Sequence, residues 1–171
     1  PYEVDCLIFA TGFEVATAYT RRSNCEVYGR SGKSLSEHWA DGMSTYHGFL
    51  THDFPNCIHM GLTQTGVAFN YTFTVNGQAE HVAYLISEVI KRAAKSIEAR
   101  PKAEANYQKL VRAPGPMRKY QESCTPGYYN VEGKNSGESF IDNHYPEGAV
   151  MFFKMLAEWR EQGSLSGLIL K

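Results

Sequence analysis

Apolar residues recur along the chain with two periods, which predict two kinds of element. The opening Tyr2-Glu3-Val4-Asp5-Cys6-Leu7-Ile8-Phe9-Ala10 places apolar side chains on both faces of an extended chain over about 4–10. That is the pattern of a strand buried inside a sheet, whose backbone groups need neighbours on either side. The run passes into Thr11-Gly12-Phe13, where glycine permits the close backbone approach that a strand-exit turn beside a ligand requires. A second short apolar run, Cys57-Ile58-His59-Met60-Gly61-Leu62, follows Phe54-Pro55-Asn56 and also ends at a glycine, with a loop expected from Thr63 to Asn76.

Helical spacing is clearest over 78–95, where Val82, Leu85, Ile86, Val89, Ile90 and Ala93 fall three, one, three, one and three apart. Asn76 is the expected N-cap, and Lys91, Arg92 and Lys95 suit the negative end of the helix dipole. Ahead of it, Ser34-Leu35-Ser36-Glu37-His38-Trp39 predicts a short helical turn capped by Ser34 or Ser36. Pro101 opens a further helix over about 102–112, which Pro114-Gly115-Pro116 ends. A last helix over about 147–162 carries Val150, Phe153, Met155, Leu156 and Trp159 on one stripe, with Gly163 as its C-cap. The stretch 114–146 reads as a long, mobile loop, and the apolar tail Leu165 to Leu170 as packing on a neighbour.

Strands, helices and the absence of repeats or a dividing linker predict one mixed α/β (α+β) unit over 1–171. A chain of this length buries enough surface for a real core. Seventeen basic against eighteen acidic residues leave a net charge of -1, so no field recruits nucleic acid or an anionic membrane. The cysteines Cys6, Cys25, Cys57 and Cys124 form no C-x-x-C pair. Together with the lack of a secretory leader or a membrane-length apolar run, this predicts free thiols and a cytoplasmic setting.

Six histidines invite a metal site, but His38, His47, His52, His59, His81 and His144 lack ligand spacing, so none is expected. His81, beside Glu80 on the central helix, reads as a surface or half-buried histidine. No P-loop, no G-x-G-x-x-G and no nucleophile elbow occurs. From its own residues the chain therefore lacks a complete nucleotide-binding site.

Asp5-Cys6-Leu7-Ile8-Phe9-Ala10-Thr11-Gly12-Phe13 resembles the D-x-x-x-x-A-T-G-[FY] signature of flavin-containing and Baeyer-Villiger monooxygenases. Gly32 to Trp39 with Tyr46-His47-Gly48 is similar to the family's G-x-x-L-x-x-x-W and Y-x-G stretch, and Phe54 to Gly61 to its F-P-N strand. Asn70-Tyr71-Thr72 and the helix from Gln78 resemble the flavin-edge loop and the helix after it, while 124–134 resembles a mobile loop reaching the nicotinamide cofactor. Three places depart from the pattern: Leu62 stands where many members have proline, 73–79 lacks P-x-x-I-E, and Cys124 or Thr125 stands near the place of a late-loop tryptophan that often contacts the nicotinamide cofactor. Thr63-Gln64-Thr65 and Asn70-Tyr71-Thr72 look closer to the aryl-ketone, hydroxyacetophenone-type branch than to the cyclohexanone enzymes.

The resemblance implies the C-terminal segment of an FAD-binding domain, in a two-dinucleotide-domain flavoprotein that uses FAD and NADP to insert one oxygen atom from O2 into a ketone. It implies cofactor contacts from Thr11, Gly12, Gly61, Leu62, Thr63, Asn70, Tyr71 and Thr72, and substrate contacts from Phe69 and Tyr71. The glycine-rich loops and catalytic arginine of the family have no counterpart in the sequence, so no catalytic residue is expected here and the isolated chain is expected to be inactive. Oxygenation of nitrogen or sulfur in small substrates, or a non-catalytic binding or dimerisation role, are the alternatives. Self-association of the chain is a further expectation.

Overall fold

A computed structural model describes residues 1–10, 19–68, 70–113 and 144–171, with the side chains of 21 and 22 outside that description. Five helices and two strands occur among the described residues: α1 (Tyr19–Ser23), α2 (Leu35–His38), α3 (Tyr71–Lys91), β1 (Ile97–Ala99), α4 (Pro101–Val111), α5 (Gly148–Gln162) and β2 (Leu168–Leu170). The class is mixed α/β, as the sequence predicts, but the weight lies on helices.

α3 is longer than its apolar periodicity. Asn70 caps it by accepting the Phe73 amide at 3.1 Å, whereas Asn76, the expected cap, sits inside the helix with its amide 3.4 Å from Glu80. The buried stripe is Thr74, Gln78, His81 and Leu85, spaced four, three and four. Its first three members are polar, which is why hydrophobic spacing shows only the later turns. Gly77 lies against the Phe153 ring, where a Cβ would come within 2.5 Å of Cε1, so the residue that weakens the helical pattern is the one that lets α5 approach.

The α2 turn forms from a capping box. Ser34 accepts the Glu37 amide at 3.1 Å and Glu37 accepts the Ser34 amide at 2.8 Å. In α5 the buried residues are Ala149, Phe152, Leu156 and Trp159, while Val150 is 74% exposed. Leu156 and Trp159 lie on the buried face as the sequence predicts, but Val150 and Phe153 give way there to Phe152 and the small Ala149, against which Gly66 packs. Gly163 ends α5 in the left-handed region at φ 62°.

Neither predicted early strand forms. Residues 1–10 are exposed without regular structure, and Ile8 and Phe9 are 81% and 80% exposed. A strand apolar on both faces needs flanking strands, and the sheet among the described residues pairs only β1 with β2, antiparallel, Ile97 opposite Leu170. The second run contributes a single bridge, Leu50 to Ile58. It is bent away from sheet geometry at Asn56, where φ is 61° and the side chain instead bonds the Ile97 amide and the Lys95 carbonyl. The apolar tail closes the fold as β2.

The core gathers Phe49, Leu50, Leu85, Ile97, Tyr107, Phe152, Leu156, Trp159 and Leu168. Buried polar groups are threaded through it. Glu104, 5% exposed, accepts from the Ser44 hydroxyl at 2.6 Å and the His52 amide at 2.5 Å, with His38 Nε2 at 3.3 Å. Glu98 pairs with Arg30 at 2.7 Å and accepts the Asp53 amide at 3.1 Å. These acids are satisfied on several sides, as buried charge requires.

Candidate flavin-edge site

The predicted contact residues fall on two adjoining pieces of chain. Gly61, Leu62 and Thr63 form a tight turn ahead of Gln64, whose φ is 59°. Asn70 caps α3, and Tyr71 and Thr72 begin its first turn, exposed, with Tyr71 57% exposed. Thr11, Gly12, Phe69 and the 124–134 stretch lie outside the described residues.

The two pieces are joined by a side chain that motif reading passes over. Gln78, fully buried on α3, accepts the Gly61 amide through Oε1 at 3.2 Å and donates from Nε2 to the Gly61 carbonyl at 2.6 Å. Its Nε2 also lies 3.3 Å from Thr65 Oγ1, which donates to the Gly61 carbonyl at 2.9 Å. One carboxamide thus grips both polar groups of a glycine, as a neighbouring strand would. Tyr145 anchors the same corner by donating its amide to the Thr65 carbonyl at 3.0 Å.

What the turn offers is space and donors. A Cβ on Gly61 would meet nothing within 4 Å, so its open side admits close approach of a flat ring to the backbone. Among the described residues the amides of Leu62 and Thr63 have no acceptor, and both residues are partly exposed. The first amides of α3, at Tyr71 and Thr72, have no intrahelical partner by the geometry of a helix start, and the dipole adds partial positive charge there. Donors and open space of this kind fit the polar edge of an isoalloxazine ring.

Gln64 and Thr65 turn inward instead. Gln64 is fully buried, accepts from the Thr45 amide at 3.0 Å and from Gln108 Nε2 at 2.9 Å, and donates to the Met43 carbonyl. The aryl-ketone expectation rests on this Thr-Gln-Thr run and on Asn70-Tyr71-Thr72; Gln64, Thr65 and Asn70 prove to be packing and capping residues. The Gly32 to Trp39 stretch likewise builds scaffold, since Leu35 is buried and Trp39 donates to the Ser44 carbonyl at 2.8 Å while its ring lies 4.9 Å from that of His59.

His81 corrects a further expectation. It is 2% exposed, one turn beyond Gln78, with its ring 5.4 Å from Trp159 and 4.9 Å from Phe49. Burial, with a smaller push from Arg160, lowers its pKa to about 3, and burial next to His81 lowers that of His47 to about 3. Both rings are neutral near pH 7, so they place no positive charge behind the turn. Among the described residues no group of three metal-ligating side chains occurs, and no helix is long and apolar enough to cross a membrane.

The fold matches the C-terminal part of Baeyer-Villiger flavin monooxygenases. The chain is 39% identical over 99% of its length to pentalenolactone D synthase of Streptomyces arenae, and 36% identical over 99% to Baeyer-Villiger monooxygenase 4 of Dietzia sp. strain D5. It superposes with TM-score 0.78 and 26% identity, over 99% of its length, on cyclohexanone monooxygenase from Rhodococcus sp. Phi1 bound to NADP+. It spans 29%, 28% and 31% of those proteins respectively. No protein-family profile matches the chain. Its homologues over the whole length are thus Baeyer-Villiger monooxygenases, of which it corresponds to a segment.

Proposed function

We propose that the chain serves an FAD- and NADPH-dependent monooxygenase that inserts one oxygen atom from O2 beside a ketone carbonyl, and that it supplies one wall of the flavin site. The observation that carries this reading is the Gly61 turn, with an open glycine face and the acceptor-free amides of Leu62 and Thr63. Bound FAD, reduced by NADPH, supplies the oxygen-transfer chemistry. The residues of this chain bind and orient: Gly61 yields space, Leu62 and Thr63 donate to the ring edge, and the start of α3 at Asn70, Tyr71 and Thr72 directs its positive pole toward the site. Tyr71, with its ring exposed, and Phe69 are assigned to the substrate wall. Thr11 and Gly12 are assigned to the turn between the nucleotide domains.

The test uses the whole protein that carries this chain. Purified with FAD, it is expected to consume NADPH faster when a cyclic or aryl ketone is added, and to release an ester or lactone carrying one labelled oxygen from labelled O2. Failure to retain flavin, or ketone-independent NADPH consumption without ester, overturns the reading. The 171-residue chain alone is expected to show no turnover.

A further inference from the structure

We infer that Gln78 is the positioning residue of the flavin-edge turn, setting the orientation of the Gly61 and Leu62 peptides through its carboxamide without itself touching the cofactor. The inference rests on the assignment of that turn to the flavin site. Three observations carry it.

First, the contact is two-sided: Gln78 accepts from the Gly61 amide at 3.2 Å and donates to its carbonyl at 2.6 Å. The Gly61 amide belongs to the 60–61 peptide and its carbonyl to the 61–62 peptide, so a side chain bonded at one point would hold only one of the two, whereas one bonded at both fixes their relative orientation about the Gly61 Cα. Second, the carboxamide cannot wander. Gln78 is fully buried, its Nε2 is also 3.3 Å from Thr65 Oγ1, and Thr65 in turn donates to the Gly61 carbonyl at 2.9 Å and lies 3.2 Å from that of Leu62. Third, Gly61 has nothing of its own to hold it. Its missing side chain makes no packing contact, its φ is not in the left-handed region, and a Cβ there would meet open space. Glycine leaves the backbone freer than any other residue, so the direction of the next amides depends on what grips Gly61 from behind. Gln78 sits on the longest helix among the described residues, on the same stripe as Leu85 in the core, and so transmits the rigidity of α3 to the turn.

The chemistry of the grip gives a discriminating experiment in the whole holoprotein. Gln78→Met keeps size but removes donor and acceptor. It is expected to weaken flavin retention about ten-fold, the equivalent of one or two lost hydrogen bonds, and to shift the flavin absorption band while kcat falls more than KM rises. Gln78→Glu keeps the acceptor for the Gly61 amide but sets a second acceptor against its carbonyl when ionised. It is expected to behave like Gln78→Met at about pH 9 and to regain the wild-type flavin spectrum toward about pH 6, where a buried carboxyl holds its proton and can donate. Leu156→Ala, a core truncation with no hydrogen bond to the turn, is the control for stability alone and is expected to lower Tm without shifting the band.

Flavin affinity and spectrum unchanged in Gln78→Met, or a spectrum in Gln78→Glu that ignores pH, overturns the inference. So does a band shift in Leu156→Ala matching that of Gln78→Met at equal Tm loss, since the effect would then follow stability alone. A wild-type protein that binds no flavin overturns the functional reading instead, and the two failures are told apart by the wild-type spectrum.

Discussion

Gly66 lies against Ala149: a Cβ at position 66 would come within 2.6 Å of the Ala149 Cα and 2.6 Å of the Phe152 Cβ. The obstacle is the start of α5 itself, which cannot swing aside as a side-chain tip can. Gly66→Ala is therefore expected to destabilise by about 1–3 kcal/mol despite the entropy it removes from the unfolded chain. Denaturant unfolding of the whole protein checks this, and a stability equal to or above wild type would mean that α5 packs elsewhere.

Gly61→Ala is the opposite case. Nothing occupies the space that its Cβ would enter and its φ is ordinary, so Tm is expected to stay within a degree or so. If the open face is where the flavin ring lies, the added methyl lowers flavin affinity at unchanged stability. The paired measurement of Tm and flavin titration separates binding from folding at this residue.

Glu104 organises Ser44, His38 and the His52 amide from a helix that follows them in sequence by more than fifty positions. Glu104→Ala strands the buried hydroxyl and amide donors and is expected to cost about 3 kcal/mol. Gln at the same position keeps an acceptor and is expected to cost less than half of that. Equal losses in the two variants would argue against the hydrogen bonds as the cause.

Acid is expected to weaken the fold before it protonates most carboxylates. Burial holds His47 and His81 at about 3 and His59 at about 4, against 6.5 for the ordinary group. The unfolded chain therefore binds more protons than the folded one at any pH between these values, and stability falls as pH drops below about 6.5, by up to about 1.4 kcal/mol per pH unit for each histidine. Above that pH these groups leave stability unchanged. Urea midpoints measured from about pH 8 to about pH 4 should show the slope, and His47→Phe should reduce it.

How far the sequence foretells the molecule depends on whether a feature is set locally. Ser34, one of the two serines expected to cap its turn, Pro101 at a helix start and Gly163 at a helix end are local chemistry, and each sits where the sequence places it. The family motifs are legible for a related reason, because they record short stretches of backbone shape. What escapes is decided by distant partners. Thr74, Gln78 and His81 look like a solvent face until the 61–65 turn and α5 are laid against them. Phe153 outweighs Phe152 in a hydrophobic tally only while Gly66 and Ala149 are not known to touch. The 4–10 run is the reverse error: a stretch apolar on both faces that names a buried strand cannot make one without edges to pair with, and here it lies exposed.

One tyrosine on α4 and one just ahead of α5 are moored to adjacent residues. Tyr107 donates its hydroxyl to the Gln64 carbonyl at 2.6 Å, and Tyr145 donates its amide to the Thr65 carbonyl at 3.0 Å. The Tyr145 tie runs from main chain to main chain and survives any substitution there except proline, whereas the Tyr107 tie is lost with its hydroxyl, so the two moorings tolerate very different amounts of sequence change.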